Sequence, residues 1–198
     1  PALTADRLSA HLQSIRNQGA TVVGYAGSHG LPNALDVLLD AATLLQDAPL
    51  AFVLVGDGHE KRRLVQRVEA EGLRNVALFD PVPKAQIPTL LNHFDIAYIG
   101  WKRVPLYCFG IVPNKLMDYM MAGRAVLHSV EAGNDPVADA DCGLTVPPES
   151  AAAVAQGLQH LASTSPEQRK QMGERGRTNK MKNHAYPALA QRFIEAIT

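Results

Sequence analysis

Several features common in secreted, membrane-spanning or nucleic-acid-binding proteins are missing from this sequence of 198 residues. Its two cysteines, Cys108 and Cys142, do not make a disulfide framework, and no second pair of Cys or His stands at metal-ligand spacing. It has no run of about 18 apolar residues and no basic-then-apolar N-terminus. Lys plus Arg and Asp plus Glu number 19 each, so no basic field favours nucleic acid or an anionic membrane. We therefore expect a soluble, cytoplasmic protein without a transmembrane segment or a nucleic-acid partner.

Short apolar runs alternate with helical segments through most of the chain. Strands are predicted at 21–26, 50–55, 76–79, 96–99, 125–128 and 144–146. Helices are predicted between them at about 33–45, 59–70 and 87–92, and from about 114 to 122. This alternation implies right-handed crossovers and a parallel sheet. The sequence therefore predicts an α/β fold over residues 20–147, a Rossmann-like parallel sheet with helices on both faces.

Helices are predicted on both sides of this α/β core. Thr4 to Arg16 has apolar residues at the spacing of one helix face, and we interpret residues 1–19 as an interdomain helix. Residues 148–198 are predicted to be a helical tail, because Ser150 can cap one helix and the sequence Ser-Pro-Glu-Gln at 165–168 is a capping box. We expect one domain of 198 residues, and because it starts at Pro1 instead of Met we expect it to be part of a longer protein.

The segment 109–128, FGIVPNKLMDYMMAGRAVLH, contains the most informative pattern. Pro113, Asn114 and Lys115 stand at the start of a predicted helix, where the first amides have no intrahelical partner and the helix dipole adds partial positive charge. The dipole disfavours a lysine at this end unless an anion is present. The pattern therefore predicts a phosphate site.

Asp118 lies one helical turn beyond Asn114. Its carboxylate could accept hydrogen bonds from the hydroxyls of a sugar while the helix amides hold a diphosphate. The alternative is an ordinary first-turn acid that stabilises the helix. Taken with the phosphate site, Asp118 favours a nucleotide as ligand.

This segment resembles the donor-binding motif of retaining GT-B glycosyltransferases of the group 1, or family 4, type. Its Pro-Asn-Lys-Leu followed by Asp-Tyr-Met is similar to a variant in the bacterial branch that builds surface polysaccharides. The wider family has two glutamates separated by seven residues. Asp118 matches the second acid, which binds ribose in the family, whereas Gly110 stands at the position of the first. The donor-binding residues implied in this segment are Pro113, Asn114, Lys115, Leu116 and Asp118.

The resemblance covers almost the whole chain, as the C-terminal, donor-binding half of the two-domain GT-B fold. It implies transfer of a sugar with retention from a nucleotide diphosphate sugar, with UDP the commonest donor nucleotide. The implied acceptor is a saccharide or lipid-linked saccharide in polysaccharide or lipopolysaccharide biosynthesis, with the full-length enzyme peripheral at the inner face of a membrane. Asn114 and Lys115 are the implied catalytic residues, because they would stabilise the leaving diphosphate without a metal or a cofactor. The N-terminal acceptor domain is expected to be absent from this chain, and the isolated domain to be inactive.

The glycine loop after the first predicted strand, Gly27-Ser28-His29-Gly30, is a second candidate for the diphosphate site. Its glycines would let backbone amides approach the phosphates closely, as expected at the carboxyl ends of parallel strands. His29 is the only side chain between Gly24 and Asp57 able to offer a positive charge. The alternative is a structural turn with an exposed histidine.

Two further loops follow the second and third predicted strands. The sequence Gly56-Asp57-Gly58 resembles the Gly-acid-Gly loop that lies near the nucleotide in the family, although a tight strand-to-helix turn needs glycine in any case. The loop 79–83 contains two prolines, and the resemblance implies that the backbone of Val82 contacts the base. The alternative for that loop is a segment stiffened for stability.

Two other functions remain open from the residues. A dinucleotide-binding module of an oxidoreductase would need Gly-X-Gly-X-X-Gly after the first strand, but Leu31 and Asn33 stand where the pattern should continue. A noncatalytic nucleotide-binding or assembly domain could use the same scaffold, because a fold does not determine a function.

Overall fold

The computed structural model describes residues 6–183, 190 and 193–195. These residues contain one six-stranded parallel sheet in the order β3-β2-β1-β4-β5-β6. The strands are β1 (Thr21–Ala26), β2 (Leu50–Val55), β3 (Val76–Phe79), β4 (Ile96–Gly100), β5 (Ala125–Ser129) and β6 (Gly143–Val146). Each predicted strand is found with its bounds correct to within one residue. The order reverses between β1 and β4, which opens a crevice at the carboxyl ends of these two strands.

Eight α-helices are assigned within the described ranges. They are α1 (Asp6–Asn17), α2 (Leu35–Leu44), α3 (Lys61–Ala70), α4 (Ile87–Leu91), α5 (Asn114–Met121), α6 (Pro136–Asp139), α7 (Ala151–Ser163) and α8 (Pro166–Asn183). Only α6 is absent from the sequence prediction, because its four residues are too few to show a helical period. It begins where the Asp135 carboxylate accepts hydrogen bonds from the amides of Val137 and Ala138.

The sheet is covered on both faces, as the sequence predicts. Helices α2, α3 and α7 pack on one face, and α1, α4, α5 and α8 lie on the other. Alternate residues of β1 point to opposite faces of the sheet. Val22 packs with α1, α4 and α5, whereas Val23 and Tyr25 pack with α2, α3 and α7. Burial on both faces explains why the strands are continuous apolar runs.

The terminal helices are part of this packing. Leu8, Leu12 and Ile15 of α1 are buried in the same core cluster as α4 and α5, so the helix interpreted as interdomain covers the sheet itself. The Ser165 capping box is confirmed, since Ser165 and Gln168 exchange side-chain to backbone hydrogen bonds of 2.8 and 3.1 Å. Most of the predicted helical tail after Asn183, and the predicted helix start at Thr4, lie outside the described residues. In the described part of the chain, no helix has both the length and the apolar character needed to cross a membrane.

Candidate functional site

The carboxyl ends of β1 and β4 lie beside the first turn of α5. Pro113 precedes the helix in an extended conformation, and no side chain within the described ranges caps it. The first intrahelical hydrogen bond runs from the Met117 amide to the Pro113 carbonyl at 3.2 Å, so three amides come before it. Asn114 is exposed, whereas Pro113 and Leu116 are buried and hold α5 against the sheet. Pro113 and Leu116 are both predicted donor-binding residues, and because their side chains are buried, only their backbone atoms can face a ligand.

Lys115 extends from α5 to the end of β1. Its Nζ donates to the Tyr25 hydroxyl at 2.7 Å and to Asn33 Oδ1 at 2.9 Å, and it lies 4.0 Å from the centre of the Tyr25 ring. Burial lowers the pKa of Lys115 to about 7. The predicted cation therefore reaches the glycine loop after β1.

Tyr25 and Asn33 are site residues that the sequence analysis did not identify. Both donate to the Ser28 carbonyl, Tyr25 at 2.6 Å and Asn33 Nδ2 at 3.0 Å, and this shared acceptor turns their oxygens toward Lys115. The available signal was a tyrosine in an otherwise apolar strand and an amide three residues beyond Gly30. Neither signal points to Lys115, which is 90 residues from Tyr25 in the chain.

The glycine loops after β1 and β2 pack backbone against backbone. A Cβ on Gly56 would lie 1.8 Å from the Gly27 carbonyl oxygen, and one on Gly58 would lie 2.5 Å from the His29 carbonyl oxygen. The His29 amide donates to the Asp57 carbonyl at 2.8 Å. Gly56 and Gly58 are therefore required for the contact between the two loops, whether or not they also contact a ligand.

His29 is neither the source of positive charge predicted for the diphosphate nor the exposed histidine of the alternative, and both expectations about its side chain are wrong. The residue is fully buried, and neither ring nitrogen has a hydrogen-bond partner among the described residues. Burial, together with the nearby charge of Lys61, lowers the pKa of His29 to about 4, so the ring is neutral at neutral pH. The cause is the close approach of the Gly56 and Gly58 backbone, which covers the ring.

A second lysine lies at this edge of the sheet. Lys61, the first residue of α3, donates to the Gly56 carbonyl at 2.9 Å, the Phe79 carbonyl at 3.1 Å and the Asp80 carboxylate at 2.5 Å. It thereby joins the loops after β2 and β3. Lys61 was not predicted as a site residue, although a cation at a helix start was the signal that identified Lys115.

Asp118 lies in a groove between α4, α5 and α8. The groove encloses about 440 Å³, and its lining includes Lys84, Ile87 and Met121. Partial burial raises the pKa of Asp118, and the charge of Lys84 opposes this. Lys84 is two residues beyond Val82, a buried residue of the loop predicted to contact a base. The groove that contains the predicted ribose ligand therefore begins close to the end of this loop in the chain.

Gly110, at the position of the family's first acid, has a left-handed backbone with φ of +99°. The Asn134 side chain brackets Ile111, accepting from its amide at 2.7 Å and donating to its carbonyl at 2.9 Å. A Cβ on Gly110 would lie 3.2 Å from Asn134 Oδ1. A glutamate here would be strained, which gives a physical reason for the glycine.

No group of three His, Cys, Asp or Glu side chains that could hold a metal ion occurs in the residues covered by the structure. Cys108 is exposed and Cys142 is buried, and both are free thiols.

Known glycosyl transferases match this chain in sequence. The family model described as glycosyl transferases group 1 matches residues 20–164. The putative colanic acid biosynthesis glycosyl transferase WcaI of Escherichia coli (strain K12) is 30% identical over 128 residues, which are 62% of this chain and 31% of that protein. The chain thus spans about a third of the length of this curated relative.

Solved structures share the fold at low sequence identity. The C-terminal domain of the group 1 family protein LpcC from Francisella tularensis has a TM-score of 0.68 and 18% identity, with 88% of this chain and 93% of that one covered. Anabaena Alr3699/HepE, solved with UDP-glucose, has a TM-score of 0.71 and 16% identity, with 98% of this chain and 53% of that one covered. These likenesses confirm the predicted fold, a Rossmann-like half of a GT-B structure.

Proposed function

Because this chain belongs to the group 1 glycosyl transferases, we propose that it is the C-terminal, donor-binding half of an enzyme that transfers a sugar from UDP-sugar with retention. The observation that carries this function is the meeting of the Lys115 amine and the uncapped start of α5 at the glycine loop after β1. The family match makes the oxidoreductase alternative wrong. Asn33, which interrupts the dinucleotide pattern, holds Lys115 instead.

The first step of the proposed mechanism is neutralisation of the leaving diphosphate. The amides of Asn114 to Leu116 lie at the positive end of the α5 dipole, and Lys115 adds a donor beside them. These groups stabilise the negative charge that develops on the diphosphate as the bond to the sugar breaks. We propose that they do so without a metal or a cofactor.

The nucleoside is proposed to lie along the groove that begins at Asp118. The Asp118 carboxylate would accept hydrogen bonds from the ribose hydroxyls, and the backbone of Val82 would contact the base. Asp118 and Lys84 line the same groove, which supports this arrangement. Because glycine replaces the family's first acid at position 110, where a glutamate would be strained, we propose a donor sugar that makes fewer hydroxyl contacts, such as a deoxy or N-acetylated sugar.

The acceptor side is proposed to belong to an N-terminal domain outside this chain. The name of WcaI, with its mention of colanic acid, supports a saccharide or lipid-linked saccharide acceptor in surface-polysaccharide or lipopolysaccharide biosynthesis. The full-length enzyme would then be cytoplasmic, peripheral at the inner face of the membrane. The isolated domain would bind donor without transferring it.

Titration calorimetry of this chain with UDP, uridine, GDP and NAD tests the donor assignment. We expect UDP to bind more tightly than GDP or NAD, and Lys115→Ala to weaken UDP while leaving the weaker uridine interaction unchanged. The matched variant Asp118→Asn should reduce the preference for UDP over its 2′-deoxy analogue. At a hundredfold excess over Kd, a ligand of the folded state adds about 2.7 kcal/mol to stability, so thermal unfolding reports the same binding. Binding of NAD alone, or of no nucleotide, would contradict the proposed function.

A further inference from the structure

The contacts of Lys115 identify two residues whose role goes beyond packing. We propose that Tyr25 and Asn33 are positioning residues that hold the Lys115 amine beneath the glycine loop, where it takes up a proton when the donor diphosphate binds. The inference rests on the proposed function, because it requires that an anion binds beside Lys115. According to this inference, binding of the nucleotide sugar is accompanied by uptake of one proton by Lys115.

The hydrogen bonds around Ser28 define the geometry. The Tyr25 hydroxyl uses its one proton on the Ser28 carbonyl, and Asn33 Nδ2 donates to the same oxygen. The Tyr25 hydroxyl oxygen and Asn33 Oδ1 therefore both face Lys115 as acceptors. A Cβ on Gly27 would lie 2.8 Å from Lys115 Cε, so the glycine leaves the space through which the lysine passes.

The number of acceptors matches the uncharged amine. A neutral amine has two N–H donors and an ammonium has three. Two acceptors contact Lys115 Nζ among the described residues, and neither is a carboxylate. A third N–H, present only after protonation, would find its acceptor on the diphosphate.

The two tyrosines and the histidine near Lys115 do not change charge near neutral pH. Burial raises the pKa of Tyr25 and that of Tyr119, the nearby tyrosine of α5 that accepts from the Ala26 amide. The pKa of His29 is lowered to about 4. The charged groups beside His29 are Asp57, on the loop after β2, and Lys61, at the start of α3. Since the pKa of Lys115 is lowered to about 7, its titration accounts for the pH dependence expected here.

The test is titration calorimetry of a UDP-sugar with this chain between about pH 6 and about pH 9, in buffers of different ionisation enthalpy. We expect proton uptake on binding, and a Kd that rises by up to about tenfold per pH unit above the pKa of unliganded Lys115. Lys115→Met should bind weakly, with neither proton uptake nor this pH dependence.

Variants of the positioning residues should move the pH profile in opposite directions. Tyr25→Phe removes an acceptor for the ammonium, so we expect about tenfold weaker binding at pH 7 and a rise in Kd that begins at lower pH. Asn33→Asp supplies a carboxylate that keeps Lys115 charged. We expect its binding to be weaker at pH 7 but nearly independent of pH up to about pH 9.

Tyr98→Phe is the matched control, because it removes a buried tyrosine hydroxyl that takes no part in the hydrogen bonds around Lys115 and Ser28. It should leave both affinity and pH profile unchanged, and thermal unfolding should show that every variant is folded. If the wild type binds UDP-sugar through Lys115 while Tyr25→Phe and Asn33→Asp keep its pH profile, the inference is wrong and the proposed function stands. If the wild type does not bind, both are contradicted.

Discussion

Two lysines stand at the beginnings of helices in this domain, Lys61 on α3 and Lys115 on α5, and the surroundings of their charges differ. Lys61 contacts two carbonyl oxygens and the Asp80 carboxylate. Lys115 contacts a hydroxyl and an amide oxygen, both neutral. Each lysine begins a helix whose dipole disfavours it, but only Lys61 has an anion of the protein beside it. The comparison indicates that Lys61 joins loops, whereas Lys115 is prepared for an anion that comes from outside.

The largest expected difference between the two lysines is in ligand affinity. We expect Lys115→Ala to weaken UDP binding about a hundredfold, because a buried hydrogen bond to charged phosphate is lost. Lys61→Ala should weaken it only a few-fold, through movement of the Gly56 loop. Titration calorimetry of both variants at low and high salt measures the difference. Equal losses would show that Lys61 is also a ligand of the diphosphate.

The second difference is in the stability of the unliganded protein. Lys61→Ala removes the Nζ donor to the Gly56 and Phe79 carbonyls, of which Phe79 keeps only the Gly56 amide, and we expect it to lower the free energy of unfolding by about 2 kcal/mol. Lys115→Ala should lower it less, because it removes an amine that is buried without a charged partner. Urea unfolding of both variants without ligand gives the comparison, and the reverse order would contradict it.

The sequence alone predicts those parts of the site whose structure depends on residues that are close together in the chain. The strands were predictable because burial on both faces makes each a continuous apolar run, and α5 because proline precedes a lysine at its start. The criterion that selected Lys115 applied equally to Lys61, but the carboxylate of Asp80, which makes the difference, is 19 residues away along the chain.

Contacts between distant segments could not be predicted in this way. Asn33 reaches Lys115 across 82 residues, and the pairing depends on the sheet order that brings β1 beside β4. His29 was misjudged for a related reason. Its burial results from the second glycine loop, and nothing local to His29 indicates that Gly56 and Gly58 close over it.

A third test concerns the pH dependence of stability. The pKa of Lys115 in the folded protein is about 7, below its ordinary value of 10.5, so between these values the unfolded chain holds a proton that the folded chain lacks. Stability should therefore rise with pH in this window, with a contribution from Lys115 of at most about 1.4 kcal/mol per pH unit. Urea unfolding at several pH values should show a smaller rise for Lys115→Met. Lys61→Met is the control for the loss of a lysine, and an identical slope in wild type and Lys115→Met would contradict the prediction.

The smallest effect is expected where the anion beside Lys61 is removed. The Asp80 side chain is 95% exposed, so solvent screens its ion pair, whereas the two carbonyls that Lys61 also contacts belong to the loops it joins. Lys61 holds the pKa of Asp80 below its usual range, and the stability from this pair should fall as pH decreases through that lowered value. Asp80→Asn should therefore change the urea midpoint much less than Lys61→Ala does. A change as large as that of Lys61→Ala would mean that the carboxylate, and not the pair of carbonyls, fixes Lys61, and that charge compensation is the main difference between the two lysines.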